Sequence, residues 1–437
     1  MSLEPNRAVP RREFVRSAVA IGGASALSAC LDAETDEDVA DPGEPKFPQG
    51  REDLSALPER QHAWNDFMVR EPSGDTILPQ QQLLLFVEYT GSIPPTDDER
   101  AAVEDTLRSV ERAYQRGTGG TAGATFLEGL LFLIGYAPGY FDRFDADLPP
   151  GIDLPNPATV IKRLEEDATP ESADAVIVLN SDYGSVLLGV EEALFDDVDR
   201  LNGVTVKGDF SSVFEKVERR PAVVGRGNPA KELDHDAIDE DAPMSMGYKS
   251  GFDDSNPEES RVTWDDGPFS GGTTLLASRL GIDLDSWYEF DEETRVGQMF
   301  TMDHTPEDIG RTGEALGADS GITEESVENL EKHAREHGCV GHSAKAARAR
   351  DDDFEPLILR RSEGNISDPA HDAGMNFTSL QSGIEDFIET RNAMDDFADV
   401  EAHKSGIVDF LTTERRGTYL VPPRSLRALP SPRPDEQ

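Results

Sequence analysis

The sequence predicts an α+β protein of two successive ferredoxin-like βαββαβ modules with packed antiparallel sheets. Apolar runs and helical stripes alternate in that order through the first half, and the same order returns in the second half without residue similarity. Setting the amino terminus aside leaves roughly 370 residues, enough for two domains or one large double one.

Leu83 to Tyr89 is an apolar run with aromatics, a strand. Thr96 with Glu99 makes a capping box, after which Val103, Leu107, Val110 and Tyr114 recur at helical spacing. Phe126 to Ile134 reads as a strand, Ala175 to Leu179 as a buried strand, Val186 to Phe195 as a helix, and Val204 to Lys207 as the closing strand of the first set. In the second half Thr273 to Leu280 predicts a strand, Asp285 to Met299 helical stretches, Leu357 to Arg360 and Met375 to Leu380 strands, Ile384 to Met394 a helix, and Thr418 to Val421 the last strand. A further charged helix is expected from near Thr323, with His333 and His337 at its end, where they meet the negative end of the dipole.

The first residues read as an address label. Arg11 and Arg12 precede Glu13, Phe14 and Val15, and a small-residue apolar stretch runs from Ala18 to Ala29, the pattern of a twin-arginine export signal. That stretch is too short to span a bilayer. It ends in Leu27-Ser28-Ala29-Cys30, which looks like a lipobox with Cys30 as the lipidated residue of the mature chain. The expected location is the outer face of the cytoplasmic membrane. From Leu31 to about Arg60 the chain is acidic and Pro-rich, a tether that cannot bury enough apolar surface to order itself. The expected division is therefore signal peptide 1–29, tether 30–60, first module 61–207 and second module 208–437.

The formal charge is −46, spread along the chain, and only nine of the 41 basic residues are Lys. This pattern suits a halophilic, haloarchaeal setting, where concentrated salt screens self-repulsion. It argues against nucleic acid as a partner, since no basic stripe exists. With Cys30 taken by the anchor, Cys339 has no disulfide partner in the mature chain.

Several stretches in the second half follow one another in the order of a known family. Gly251-Phe252-Asp253-Asp254 looks like the start of a GxxDG motif. Gly271-Gly272-Thr273-Thr274-Leu275 through Asp283-Leu284-Asp285-Ser286-Trp287 is similar to GGSYLV…R…DLxxW, and Gly341-His342-Ser343-Ala344-Lys345-Ala346 to HIRKANPR. Leu357-Ile358-Leu359-Arg360-Arg361 matches ILRRG, Gly374-Met375-Asn376-Phe377 with Gln381 looks like GLLFxxxQ, and Gly417-Thr418-Tyr419-Leu420-Val421-Pro422-Pro423 resembles GGYxxVP. In the first half, Gly135-Tyr136-Ala137-Pro138 to Phe144 resembles GxGPxLFDRF. Together these resemble the dye-decolorizing haem peroxidases, whose two modules pack as a dimeric α/β barrel.

The resemblance implies a haem b cofactor with His342 as axial ligand, a neutral imidazole being the usual one for peroxidases. It further implies Asp254 as the distal proton carrier and Arg360 as the group that stabilises departing charge as hydrogen peroxide is reduced. Electrons would come from an organic donor, directly or through oxidisable surface residues such as Trp264, Trp287 or Tyr288. The oligomeric state stays open.

Three departures from the family pattern stand out. Ser255 replaces the last Gly of the GxxDG motif, Ala347 falls near the place of an Asn, and Gly383 falls where an acid that orients the axial imidazole is expected, with Glu385 and Asp386 as displaced candidates.

Two other readings remain open on the residues. One is a haem-binding or iron-releasing lipoprotein with little peroxidase turnover. The other is a haem-free lipoprotein in which His333, His337, Cys339 and His342, spaced H-x3-H-x-C-x2-H, hold zinc. Asp254 alone would be a turn residue and Arg360 alone a surface charge on a strand; only their order with His342 lifts both. Asp351-Asp352-Asp353 reads as a solvated loop, since consecutive carboxylates lack the alternation of a calcium loop.

Overall fold

Side-chain alternation along strand β1 (Gln81–Tyr89) sets the architecture. Leu83, Leu85, Val87 and Tyr89 face one way and pack with Val103, Leu107 and Val110 of helix α1 (Asp97–Ala113), while Leu84 and Phe86 face the other way. Helix α1 starts at the expected capping box between Thr96 and Glu99. The computed structural model describes residues 45–434 apart from 71–75, 119–125, 197, 225–227, 234, 251, 318–319, 321, 367–370, 372 and 396–403. The twin-arginine segment, Cys30, Gly251 and the first part of the tether lie outside the described residues.

The first half continues with β2 (Leu131–Tyr136), β3 (Ala175–Ser181), helix α2 (Gly184–Phe195) and β4 (Phe214–Val223). The second half comprises β5 (Thr273–Ile282), a long helical insertion, β6 (Leu359–Ile366), β7 (Ala373–Gln381), a helix, and β8 (Leu411–Val421). The insertion carries α3 (Leu284–Tyr288), α4 (Glu292–Met299), α5 (Glu324–Glu328), α6 (Leu330–His337) and α7 (His342–Ala347); the later helix is α8 (Ile384–Asp395).

Strand order within the first half is β4-β1-β3-β2 and within the second β8-β5-β7-β6, both antiparallel throughout. This is the ferredoxin-like order twice over. The halves join at Asn365↔Val223 between β6 and β4 and at Leu420↔Tyr136 between β8 and β2, so the eight strands close into a ring. Inside it, Leu84, Phe86, Leu133, Val176 and Val178 meet Leu275, Ala277, Leu380, Tyr419 and Val421 in one buried cluster. Each strand thus presents one face to the ring interior and the other to its own helices.

Several expected elements shift. The fourth strand of the first half is Phe214–Val223, not Val204 to Lys207; Val204–Thr205 instead pairs with Arg200–Leu201 in a small hairpin. Strand β4 escapes a hydrophobicity reading because Glu, Lys and Arg fill it and Pro221 sits within it. Its Arg220 is nevertheless buried, over the Phe86 ring at 4.2 Å and paired with Glu171 at 2.7 Å and Glu218 at 2.6 Å. Strand β2 begins at Leu131, five residues after Phe126, and β6 begins at Leu359 and runs on to Ile366. Residues from 45 onward, grouped by composition with the tether, lie against the body: the Phe47 ring packs on Tyr183 at 5.2 Å between centroids, Asn202 Oδ1 accepts from the Lys46 and Phe47 amides, and Leu54 is buried.

A buried ion network ties the end of the chain to α1. Arg424 Nε donates to Glu111 Oε1 at 2.8 Å, Arg427 Nη1 to the same oxygen at 2.5 Å, and Arg427 Nε to Glu104 at 3.0 Å. Burial alone would raise the Glu111 pKa, but the Arg424 hydrogen bond and the Arg427 charge outweigh it and hold it at about 2, against an ordinary 4.5. A carboxylate depressed in this way stabilises the fold fully above its unfolded pKa and loses that contribution as pH falls through the folded one. Stability should therefore drop by about 3 kcal/mol between pH about 4.5 and about 2 from this group. At pH 7, Glu111→Gln, which leaves two arginines facing an uncharged partner, should cost roughly 3–5 kcal/mol. Denaturant unfolding checks both, and equal midpoints for wild type and variant at pH 7 would refute the role given to the network.

Candidate functional site

His342 is the first residue of α7, and its backbone is clamped from several sides. Gly341 before it has no room for a side chain: a Cβ there would collide with the carbonyl oxygens of Phe300 and Gly297. The Ala344 amide donates to Phe300 O at 3.1 Å, Ser343 Oγ to Met299 O at 3.1 Å, and the Val340 amide to Lys404 O at 3.0 Å. Gly406, at φ 90°, packs on the His342 backbone, and its amide donates to the buried Gln298 Oε1 at 2.7 Å. A positive φ and a close approach at one position are what glycine permits and other residues do not.

The His342 ring lines a largely apolar cavity of about 240 Å³ between the helix-facing side of the second half's strands and the inserted helices. Leu280, Ile282, Met375 and Phe377 come from the strands, Phe300 and Ala346 from the insertion, and Phe387, Thr390, Arg391 and Met394 from one stripe of α8. His342 Nδ1 is sealed from solvent without a hydrogen-bond partner, and the residue lines the cavity. Burial, then the charges of Lys345, Arg360 and Arg391, push the imidazole pKa down to about 3, so the ring is neutral at any physiological pH. A neutral imidazole with one nitrogen open to an apolar space is the form that binds a metal.

Arg360 also lines this cavity. Its amide donates to Asn256 Oδ1 at 3.0 Å and its Nη1 to Ser250 Oγ at 3.1 Å. Asp254 does not line it. That residue is exposed and borders a second, polar cavity of about 510 Å³, where Asn256, Glu258, Asp353 and Arg360 also stand; its carbonyl accepts from Arg350 Nη2 at 2.6 Å. Ser255, in the place of the motif's glycine, reaches the His342 cavity instead. His342 and Arg360 are thus brought together, and Asp254 is on the other side of Arg360.

The neighbouring Arg361 points away, buried over Trp64 and paired with Glu259, with Nη1 donating to Asn65 Oδ1 at 2.8 Å. The two consecutive arginines therefore do different work, one at the cavity and one in the ring interior.

The other expectations separate. Glu385 is engaged by both Arg163 nitrogens and Asp386 by Ser382 Oγ, so neither candidate acid meets His342. The zinc cluster is not assembled: His333 pairs with Asp303 at 3.2 Å, Gly338 turns the chain in a left-handed cap, and Cys339 is buried with its thiol pushed up to about 11 by burial. Among the described residues no group of three or more His, Cys, Asp or Glu side chains could hold a metal ion. Trp287 is fully buried, its indole N–H donating to Met246 O at 3.0 Å, so it is not a surface residue. Arg391 and Lys345 were missed in the sequence. The spacing of Phe387, Thr390, Arg391 and Met394 on one helical face is the signal that could have found Arg391.

The fold is that of the dye-decolorizing peroxidases. Over 83% of this chain and 98% of the other, it is similar to the dye-decolorizing protein from V. cholerae, with 14% identity and a TM-score of 0.50. It is also similar to a DypB variant from Rhodococcus jostii RHA1 in complex with heme, with 16% identity, 81% and 96% of the two chains covered and a TM-score of 0.49. For the encapsulated DyP-type peroxidase from Mycobacterium smegmatis the figures are 15%, 84%, 100% and 0.49. No curated protein matches the sequence. Residues 79–423 match the model of a family of unknown function, DUF7405, and the chain belongs to that family.

Because Gly341 is pressed on two carbonyl oxygens, Gly341→Ala should overpack the start of α7 and cost about 1–3 kcal/mol. Thermal unfolding is the check, and a Tm equal to that of the wild type would mean the Phe300 segment yields without penalty.

Proposed function

We propose that this protein is a haem-dependent peroxidase that reduces hydrogen peroxide at the expense of an organic electron donor. The observation that carries the reading is the neutral His342 imidazole beside an apolar cavity that His342 and Arg360 both line, in a fold of the dye-decolorizing peroxidase type. At about 240 Å³ the cavity is smaller than a porphyrin, so haem would enter only as its walls move apart; these include Met244, Met299, Met375 and Met394, flexible side chains that adapt to what they enclose.

These residues fit haem b. His342 would hold the iron, the Met and Phe side chains of the cavity would enclose the porphyrin, and Arg391 would offer charge to its carboxylates. When bound, haem supplies an iron centre that accepts electrons from the donor and passes them to peroxide. Arg360, fixed through Asn256 and Ser250, stabilises the negative charge that develops on the departing oxygen. Asp254 carries the proton from the polar cavity, and Arg360, which lines both cavities, stands on that route. The chain is exported by the twin-arginine route in the folded, cofactor-loaded state and anchored by lipid at Cys30 on the outer face of the cytoplasmic membrane.

A second reading, a haem-binding or iron-releasing protein with little turnover, is favoured by one observation. Asp254 is exposed and outside the His342 cavity.

The test is the absorption spectrum of the chain from Leu31 onward, loaded with haem in high salt, for wild type and His342→Ala. A Soret band that is lost or shifted in the variant is expected; no Soret band in the wild type would end the haem reading. Arg360→Ala should retain haem and lose roughly 10²–10³-fold in kcat. Asp254→Ala divides the two readings: a collapse of turnover supports the peroxidase, whereas turnover that is low in wild type and unchanged in the variant supports the second.

A further inference from the structure

The polar cavity of about 510 Å³ does more than border Asp254. Its volume falls within the roughly 300–1,000 Å³ usual for small-molecule sites. It also shares Ser250, Ile322, Arg350 and Arg360 as walls with the His342 cavity, so a guest there is one layer of side chains from whatever His342 holds. Part of the lining is apolar, with Met68, Leu78 and Phe354, and much of the rest is polar.

Charge on this lining is unequal. Asp254, Glu258, Glu324, Asp353 and Glu355, all exposed, stand on it against three arginines, Arg350, Arg360 and Arg361. Arg361 is already matched by the buried Glu259. Arg350 has both terminal nitrogens on backbone carbonyls, Nη1 donating to Phe354 O at 3.0 Å and Nη2 to Asp254 O at 2.6 Å. The balance is negative, and a cleft lined by an excess of one sign draws in small molecules of the other.

We propose that this cavity binds the organic electron donor, and that the donor it selects is a small aromatic cation such as a phenol that carries an ammonium group. The inference rests on the reading that His342 holds haem and that the chain reduces peroxide. A single ring suits the apolar part of the lining, and it can release one electron and one proton because the ring delocalises the radical left behind. An ammonium group on such a molecule meets the carboxylates, whereas an acid group in its place meets like charge. For each peroxide reduced to two waters, two donor molecules each lose one electron and one proton. The electrons cross the shared wall to the His342 cavity, and Asp254, on the same lining as the donor, takes the proton.

The test compares three catechols of similar size and different charge on the haem-loaded full chain at equal ionic strength: dopamine, a cation; ethylcatechol, which is neutral; and dihydroxyphenylacetate, an anion. Calorimetry reads binding, and peroxide-driven oxidation reads KM. Dopamine should bind about tenfold more tightly than dihydroxyphenylacetate, with ethylcatechol between them, and the KM values should follow the same order. Glu258→Gln combined with Glu324→Gln, both at exposed positions, should shrink that preference to about threefold and leave ethylcatechol binding near wild type. Leu78→Trp, which adds bulk to the lining, should weaken all three about fivefold. Equal affinity for the three catechols, or a preference that the double variant leaves intact, overturns the inference while the haem reading stands. Unmoved KM values in a folded Leu78→Trp protein overturn the placement in this cavity. A wild type without a Soret band overturns the peroxidase reading and the donor role with it, and calorimetry on that chain still decides whether the cavity selects cations.

Discussion

Each four-stranded half carries an inner face that it cannot leave in water. Leu84, Phe86, Val176 and Val178 on one side and Leu275, Ala277, Leu380 and Val421 on the other are all but fully buried against one another in one cluster, which Trp64, Met68 and Val262 also join. At about 25 cal/mol per Å² of apolar surface, this mutual burial is the main force that holds the halves together. Among the described residues, ladder pairing between them is one residue pair at each seam. Because the inner faces are used up in this way, the outer faces must carry helices. That requirement leaves the outer face of the second half to be covered by the insertion between β5 and β6, and the His342 cavity lies under that cover.

Charge is handled in two regimes. Most of the acidic excess is on the surface, but several arginines are buried with carboxylates beside them: Arg427 and Arg424 with Glu111, Arg416 with Glu166, Arg220 with Glu171, and Arg361 with Glu259. Guanidinium suits such places because its planar fork satisfies two acceptors at once and is weakly hydrated. Around His342 burial adds to the effect of charge. Burial first, and then the charges of Lys345, Arg360 and Arg391, hold the imidazole pKa down and keep the ring neutral.

Much of the core was legible. Strand β1, helix α1 with its capping box, β3, α2, β5, β7, α8 and the end of β8 all fall where periodicity puts them, because each buries a continuous run or one clean stripe. Strand β4 was not legible, since its buried arginine reads as a surface residue until its carboxylate partners, distant in sequence, are brought beside it. The site divides in the same way. His342 and Arg360, 18 residues apart, could be paired by motif order, and they do share a cavity. That Asp254 falls outside it was hidden, because a turn of one residue decides whether Asp254 or Ser255 faces inward.

By itself, the sequence determined the order of elements, the repeat of the ferredoxin-like unit and the residue types available at each motif, since these depend on local spacing of apolar and capping residues. Tertiary structure alone decided which groups meet. The closure of the ring, the unpartnered Nδ1 of His342, the buried Lys345 beside it and the dispersal of the histidine and cysteine cluster all follow from contacts between segments far apart in the chain. Burial and pairing are properties of that packing, and no reading of a single segment contains them.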